Sequence, residues 1–222
     1  MENQKPYRSK RKDIPAGHHP NEVYVLRDWK EYIGESLLIV FSVLLALGVT
    51  EVINYFHERS ERHEMLVNIK DELIKNRHNT KLQYAYQTKV LATIDSALKD
   101  KRFQQEIVND DHFFVNKIAP EGIMYKDLDD VAWQVAKSHN IASKVSINTM
   151  TMFSDIYDNQ ARIVKLEDEA AHVLLAPESR NPANAHLTLT ILRDEYKGWS
   201  YERTPSLIKK YDEAIKLLED NL

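Results

Sequence analysis

Residues 36–50 read Ser-Leu-Leu-Ile-Val-Phe-Ser-Val-Leu-Leu-Ala-Leu-Gly-Val-Thr, fifteen positions without a charge. Glu35 and Glu51 bracket the run, and Val52, Ile53, Tyr55 and Phe56 extend its apolar character. The 25 residues from Tyr32 to Phe56 exceed the roughly 20 that an α-helix needs to cross a bilayer. Leu, Ile, Val and Phe cover every face of such a helix, whereas a soluble surface helix keeps a polar stripe. The pattern predicts one transmembrane helix over 32–56, with Glu35 and Glu51 near the two interfaces or facing protein. Trp29 and Tyr32 at one end, and Tyr55 and Phe56 at the other, supply aromatic belts. The rivals are a buried core helix and a cleaved signal peptide. Ala46 and Gly48 offer small residues for cleavage, but the 34 residues ahead of Glu35 are long for a leader.

Outward from this helix, residues 1–21 read as a basic disordered tail, broken by Pro6, Pro15, Gly17 and Pro20. Arg8, Lys10, Arg11 and Lys12 are its candidate lipid-headgroup contacts. Residues 22–34 place Val25, Trp29 and Tyr32 at helical spacing among charges, the pattern of an interfacial amphipathic helix. Basic residues on a short tail favour the cytoplasmic side. The N-terminus is therefore expected inside and the C-terminal domain outside. Arg59, Arg62, Lys70 and Lys75, beyond the helix, pull the other way.

Downstream, no Gly or Pro occurs between Gly48 and Pro120, so a helix can leave the membrane unbroken. Leu66, Ile69 and Leu73 form a narrow stripe at three-four spacing. It suits a stalk or coiled coil, and these three residues are the expected stalk contact. Val90, Leu91, Ile94, Ala97 and Leu98 mark a further helical face. Residues 57–108 are read as stalk and helical hairpin, either one helix or two with a turn near Asn76–Asn79. Residues 109–126 read as a loop, and 127–222 as a helical bundle. Within the bundle, the helices lie near 127–138, 145–175 and 189–199. The last starts at Thr204-Pro205, a cap followed by proline at the first helical position. The fold class is all-α: one N-terminal transmembrane helix, a stalk and a helical-bundle extramembrane domain.

Composition narrows the function. The 222 residues include no Cys, which removes disulfides, thiolate metal sites and cysteine nucleophiles. The nearest glycines, Gly34 and Gly48, are fourteen residues apart, which forbids GxGxxG, the P-loop and the GxSxG elbow. A formal net charge of -4 argues against a general nucleic-acid binder. No cofactor is implied.

Several constellations have an ordinary explanation beside a chemical one. Glu169 and His172 have the Glu-x-x-His spacing of di-iron bundles, but the chain holds no second copy. His57, Glu61 and Glu64, with His63 nearby, share a face suited to zinc or pH sensing; Arg59 and Arg62 among them suggest charge compensation. Asp110, Asp111 and His112 lie in a loop without a calcium-loop pattern. Asp129-Asp130 and Asp155 with Asp158 are paired acids, which do acid–base work only in a pocket. Trp133, Tyr157, Tyr196 and Trp199 can line a pocket or fill a core. Ser42, Ala46 and Thr50 recur every four residues inside the membrane, with Gly48 beside them. Small residues at that spacing let a second helix approach closely.

Gly34-Glu35, Leu37-Leu38-Ile39-Val40, Leu44-Leu45-Ala46-Leu47 and the following Glu58, Arg59, Leu66, Ile69, Glu72-Leu73 and Asn76 resemble a set of bacterial membrane proteins. Those proteins carry one N-terminal transmembrane helix and then a charged helix. Trp133, Ser138, Ile141 and Tyr157 match a second part of the pattern. The likeness covers roughly residues 30–80 and 130–160 and departs at Glu51-Val52-Ile53-Asn54. It implies an inner-membrane, mostly helical protein and supplies no activity. The expected function is thus non-enzymatic. The chain is read as a membrane-anchored protein acting by helix–helix association, with itself or as an accessory subunit of a membrane complex. The alternative is an extracytoplasmic small-molecule sensor, with the C-terminal domain periplasmic in both cases.

Overall fold

The computed structural model describes residues 29–123 and 126–222. The tail 1–21, with Arg8, Lys10, Arg11 and Lys12, and residues 22–28 of the expected interfacial helix lie outside the described residues. The chain divides into two units, Met1–Ile53 and Asn54–Leu222.

All described residues of the first unit belong to α1 (Trp29–Lys99), the helix that also opens the second unit. Gly34 lies inside α1, so no break separates the end of the expected interfacial helix from the apolar run. Among the described residues, one helix is long and apolar enough to cross a membrane. Its most apolar 18-residue window has a mean hydropathy of 2.4, and none of that window is buried in the protein. A core helix of this chain would be buried, so that rival is excluded.

The second unit is all-α apart from one tiny hairpin. α1 passes Asn76–Asn79 without a turn and ends at Lys99, as the absence of Gly and Pro permits. Residues 57–108 therefore hold one long helix and a short one, α2 (Lys101–Ile107). The corner between them uses side chains instead of glycine. Asp100 is extended and accepts from the backbone N–H of Arg102 and Phe103 at 2.8 and 3.3 Å. Gln104 Nε2 donates back to the carbonyls of Ala97 and Leu98. One side chain thus satisfies the start of α2 and the other the end of α1.

The segment expected as a loop contains β1 (Val108–Asn109) and β2 (His112–Phe113), paired antiparallel. Asp110 and Asp111 connect them at φ 45° and 59°. Two successive positive φ values make the tight hairpin turn that matches strand twist, and Asp tolerates them. The pair is therefore accounted for by turn geometry. Beyond it, Gly122 takes φ 91°, and Tyr86 of α1 binds this segment through Gly122 O and the Glu121 N–H.

Four further helices complete the unit: α3 (Val131–Ser138), α4 (Ile147–Leu175), α5 (Ala185–Glu195) and α6 (Thr204–Asn221). Ser146 caps α4 by accepting from Thr149 N. Thr204 is already helical, one residue ahead of its expected role as cap. A π-helix, Tyr196–Tyr201, joins α5 towards α6, with Glu202 N bonded to Lys197 O.

One seam on α1 organises the packing. Leu66, Ile69, Leu73, Asn76, Thr80, Gln83, Gln87, Val90, Ile94 and Ala97 follow one another in steps of three and four, and all are buried. Its first three residues join Trp133 of α3, Phe153 and Ile156 of α4, and Leu207 and Tyr211 of α6 in one apolar core. Its last three join Ile107, Ala170 of α4, and Leu189 and Leu192 of α5 in a second. Between the cores the seam is polar.

Thr80 and Gln83 are 0% and 3% exposed, and Thr80 Oγ1 and Gln83 Nε2 find no partner among the described residues. A buried polar atom left so costs about 1–3 kcal/mol. Thr80→Val is therefore expected to raise unfolding stability by about 1 kcal/mol, read in urea. Leu73→Ala, in the first core, should lower it by about 2–5 kcal/mol. An unchanged midpoint in Leu73→Ala would refute the seam assignment.

Candidate functional site

The apolar helix presents the small-residue face expected from the sequence. Ser42 Oγ donates to Leu38 O at 2.7 Å, and Thr50 Oγ1 to Ala46 O at 2.9 Å. Both hydroxyls are satisfied by their own helix, so the face can enter hydrocarbon without an unpaired polar group. Ala46 lies between them, one turn from each. Gly48 does not belong to this face. It is two residues from Ala46, which turns it about 160° away around the helix. A Cβ added at Gly48 would meet nothing within 4 Å.

Leu66, Ile69 and Leu73 are corrected more sharply. They are 8%, 0% and 0% exposed, packed in the first core of their own chain. The three-four spacing is that of a helix seam, but its partners are α3, α4 and α6, not a second stalk.

Near the head of α1 in the second unit, Glu61 has partners across the fold. It accepts from Lys144 Nζ at 2.6 Å and lies 2.8 Å from His139 Nδ1. The two partners stand at either end of the α3–α4 connection, so Glu61 ties that connection to α1. The bond from Lys144, and then the one from His139, hold the Glu61 carboxyl below its usual range. His57, His63 and Glu64 do not join it in a ligand set. Among the described residues no group of three or more His, Asp or Glu is placed to hold a metal. Glu169 and His172 are both exposed on α4.

Deeper along α1, a polar network binds the segment before α3. Glu72 accepts from Tyr157 Oη at 2.6 Å and from Ala132 N at 2.8 Å. Asn76 exchanges two bonds with the Asp129 backbone, donating to its carbonyl and accepting from its N–H. Gln160 of α4 donates to the same carbonyl, and Lys75 pairs with the Asp129 carboxylate. Asp130 accepts from Gln134, one turn into α3. The paired acids 129–130 are therefore structural. Asp155 pairs with Lys210, across from α4 to α6.

The aromatic candidates separate. Trp133 stacks on Tyr157 with centroids 5.2 Å apart and planes 3° off parallel, and Phe153 meets Trp133 edge-on. Lys137 Nζ stands 5.4 Å from the Trp133 ring centre. Tyr196 is buried in the other core, and the Trp199 side chain lies outside the described set. These rings fill cores and do not line a shared pocket. Burial, and then the bond to Glu72, push the Tyr157 phenol well above its usual range.

Reading the sequence alone gave Glu72 and Asn76 no part in a polar network and did not single out Gln160. The signal was available: Asn76 sits on the same seam as Leu73, where a polar residue needs partners. A cleft of about 610 Å³ lies against α4 and α5 and is lined by Arg162, Lys165, Glu169, Val173, Ile191 and Glu195, with Arg203.

No protein-family profile, curated protein or solved structure matches this chain.

Two pH limits follow. Glu61 has a lowered folded pKa, so its contribution is present above the ordinary glutamate value near 4.3 and fades as pH falls below it. Glu61→Gln should flatten the acid side of the stability profile. Tyr157 has a raised folded pKa, so stability should fall as pH climbs past about 10, where the unfolded phenol ionises first. Tyr157→Phe should remove that alkaline slope and cost about 1–3 kcal/mol near neutrality. An alkaline slope that survives in Tyr157→Phe would assign it to another group.

Proposed function

We propose that this chain is a non-enzymatic, membrane-anchored helical protein that acts through helix–helix association in the bilayer. One observation carries the reading. The apolar helix of the first unit exposes Leu37 to Val40, Phe41, Leu44, Leu45 and Leu47 at 57–68%. A contiguous apolar surface of this extent exceeds what a soluble monomer leaves in water. A bilayer covers it, and Ser42, Ala46 and Thr50 let a second helix come close within that bilayer. The partner is a second copy or another membrane protein. The contact is confined to the membrane face, because the stripe above it is already buried. The likeness to bacterial inner-membrane anchors and the basic run Arg8–Lys12 support an inner-membrane location. They favour a cytoplasmic N-terminus and a periplasmic C-terminal domain.

A sensor of a small molecule is the second reading, favoured by the cleft against α4 and α5. Saturable binding of a small molecule to the full chain, removed by Arg162→Ala, would support it.

The association reading is tested by cysteine-free, amine-directed crosslinking in native membranes. Ala46→Phe should lower the yield of crosslinked product by about threefold or more, the scale of a lost membrane packing contact. Gly48→Leu, on the opposite face, should leave the yield as it is. Equal yields from wild type and Ala46→Phe would remove this face from the reading.

A further inference from the structure

We propose that Arg59 and Arg62, with Lys144, bind the phosphate of one anionic phospholipid at the start of the second unit. The proposal rests on the reading that residues 32–56 span a bilayer.

Position comes first. Tyr55 and Phe56 are the last apolar residues of the run. The headgroup layer is about 5–7 Å deep on each side of the hydrocarbon. A helix rises 1.5 Å per residue, so Arg59 and Arg62 stand about 4.5 and 9 Å beyond Phe56. Tyr55 and Phe56 form the aromatic belt at headgroup level, and guanidinium groups within two turns of it reach back along the helix to the phosphates.

Geometry comes second. Tyr55, Arg59 and Arg62 share one face of α1 at four- and three-residue steps. A cleft of about 490 Å³ separates that face from Ser143 and Lys144 of the α3–α4 connection. On the other flank a cleft of about 320 Å³, reaching Phe56, Ser60 and His63, is lined by the same two arginines. Both guanidinium groups therefore border open volume within the second unit.

Charge comes third. Arg59 and Arg62 are exposed and form no ion pair or hydrogen bond among the described residues. Glu58 stands four residues before Arg62, the favourable order for a helical ion pair, yet none forms. Lys144 is 17% exposed and already held by Glu61. Around the cleft that Lys144 lines, Glu58 and Glu61 oppose Arg59, Arg62 and Lys144, which leaves one positive charge there. A phosphodiester carries one negative charge, and the guanidinium fork matches its oxygens. Inorganic phosphate shares that chemistry. The lipid is the favoured source because Tyr55 and Phe56 wall the clefts with the apolar surface that glycerol and acyl esters require.

The test uses the full chain in mixed micelles of equal phosphatidylglycerol and phosphatidylcholine, with retained lipid counted by native mass spectrometry. Phosphatidylglycerol should be retained in preference. Arg59→Ala with Arg62→Ala should reduce that preference by about fivefold for each charge removed. Arg59→Lys with Arg62→Lys should recover part of it. Both arginines are exposed, so circular dichroism should show unchanged helix content in these variants. Equal retention of the two lipids would overturn the proposal. Displacement of the lipid by excess inorganic phosphate would overturn its lipid source. Alkaline carbonate extraction separates the two layers of inference. Release of the chain from membranes would defeat the membrane-spanning reading itself. A chain that stays embedded without lipid preference would defeat this site alone.

Discussion

A seam of three- and four-residue steps along α1, from Leu66 to Ala97, is the constraint on which the second unit depends. Both apolar cores draw on it, one through Leu66, Ile69 and Leu73, the other through Val90, Ile94 and Ala97. α4 is the other long helix that serves both, with Phe153 and Ile156 in one core and Ala170 in the other. α3 and α6 close the first core, while α2 and α5 close the second. The helices could not be assigned to these places if α1 turned at Asn76, because the two cores would then lose their shared spine.

The polar middle of the seam gives the packing its register. A uniformly apolar seam tolerates sliding by a heptad, whereas a polar position that must meet its partner does not. Asn76 meets both backbone groups of Asp129, and Gln160 reaches the same carbonyl. Glu72, one turn earlier, is fixed by Tyr157 and by the first turn of α3. These bonds set where α3 begins. They also explain why the chain before α3 crosses α1 without regular structure: its backbone groups are answered by side chains.

The helices were legible from periodicity and from the long absence of Gly and Pro. The apolar run at 36–50 was legible from length and uniform hydropathy alone. The destination of Leu66, Ile69 and Leu73 was not. Three-four spacing specifies a seam, and the same spacing serves an external coiled coil or an internal bundle. Asn76, Thr80, Gln83 and Gln87 broke the apolar pattern, so the seam read as two separate faces with a turn allowed between them. The Asp110–Asp111 turn was hidden for a different reason: two-residue strands carry no alternation to detect. Glu61 was singled out for metal chemistry because its neighbours on α1 were visible in the sequence. Its actual partners, Lys144 and His139, lie about eighty residues away and only the fold brings them near.

The seam also orders events during synthesis. α6 is made more than a hundred residues after α1, yet Leu207, Tyr211 and Leu218 complete the core that holds Leu66 and Ile69, and Arg77 of α1 bonds Asp212 of α6. At translation rates of about 5–20 residues per second, α1 waits on the order of ten seconds for that partner. Through that interval the apolar part of its seam has only the cover that α3 and α4 give it and lacks that of α6. The nascent chain is most open to chaperones, proteases and mispairing there until α6 emerges.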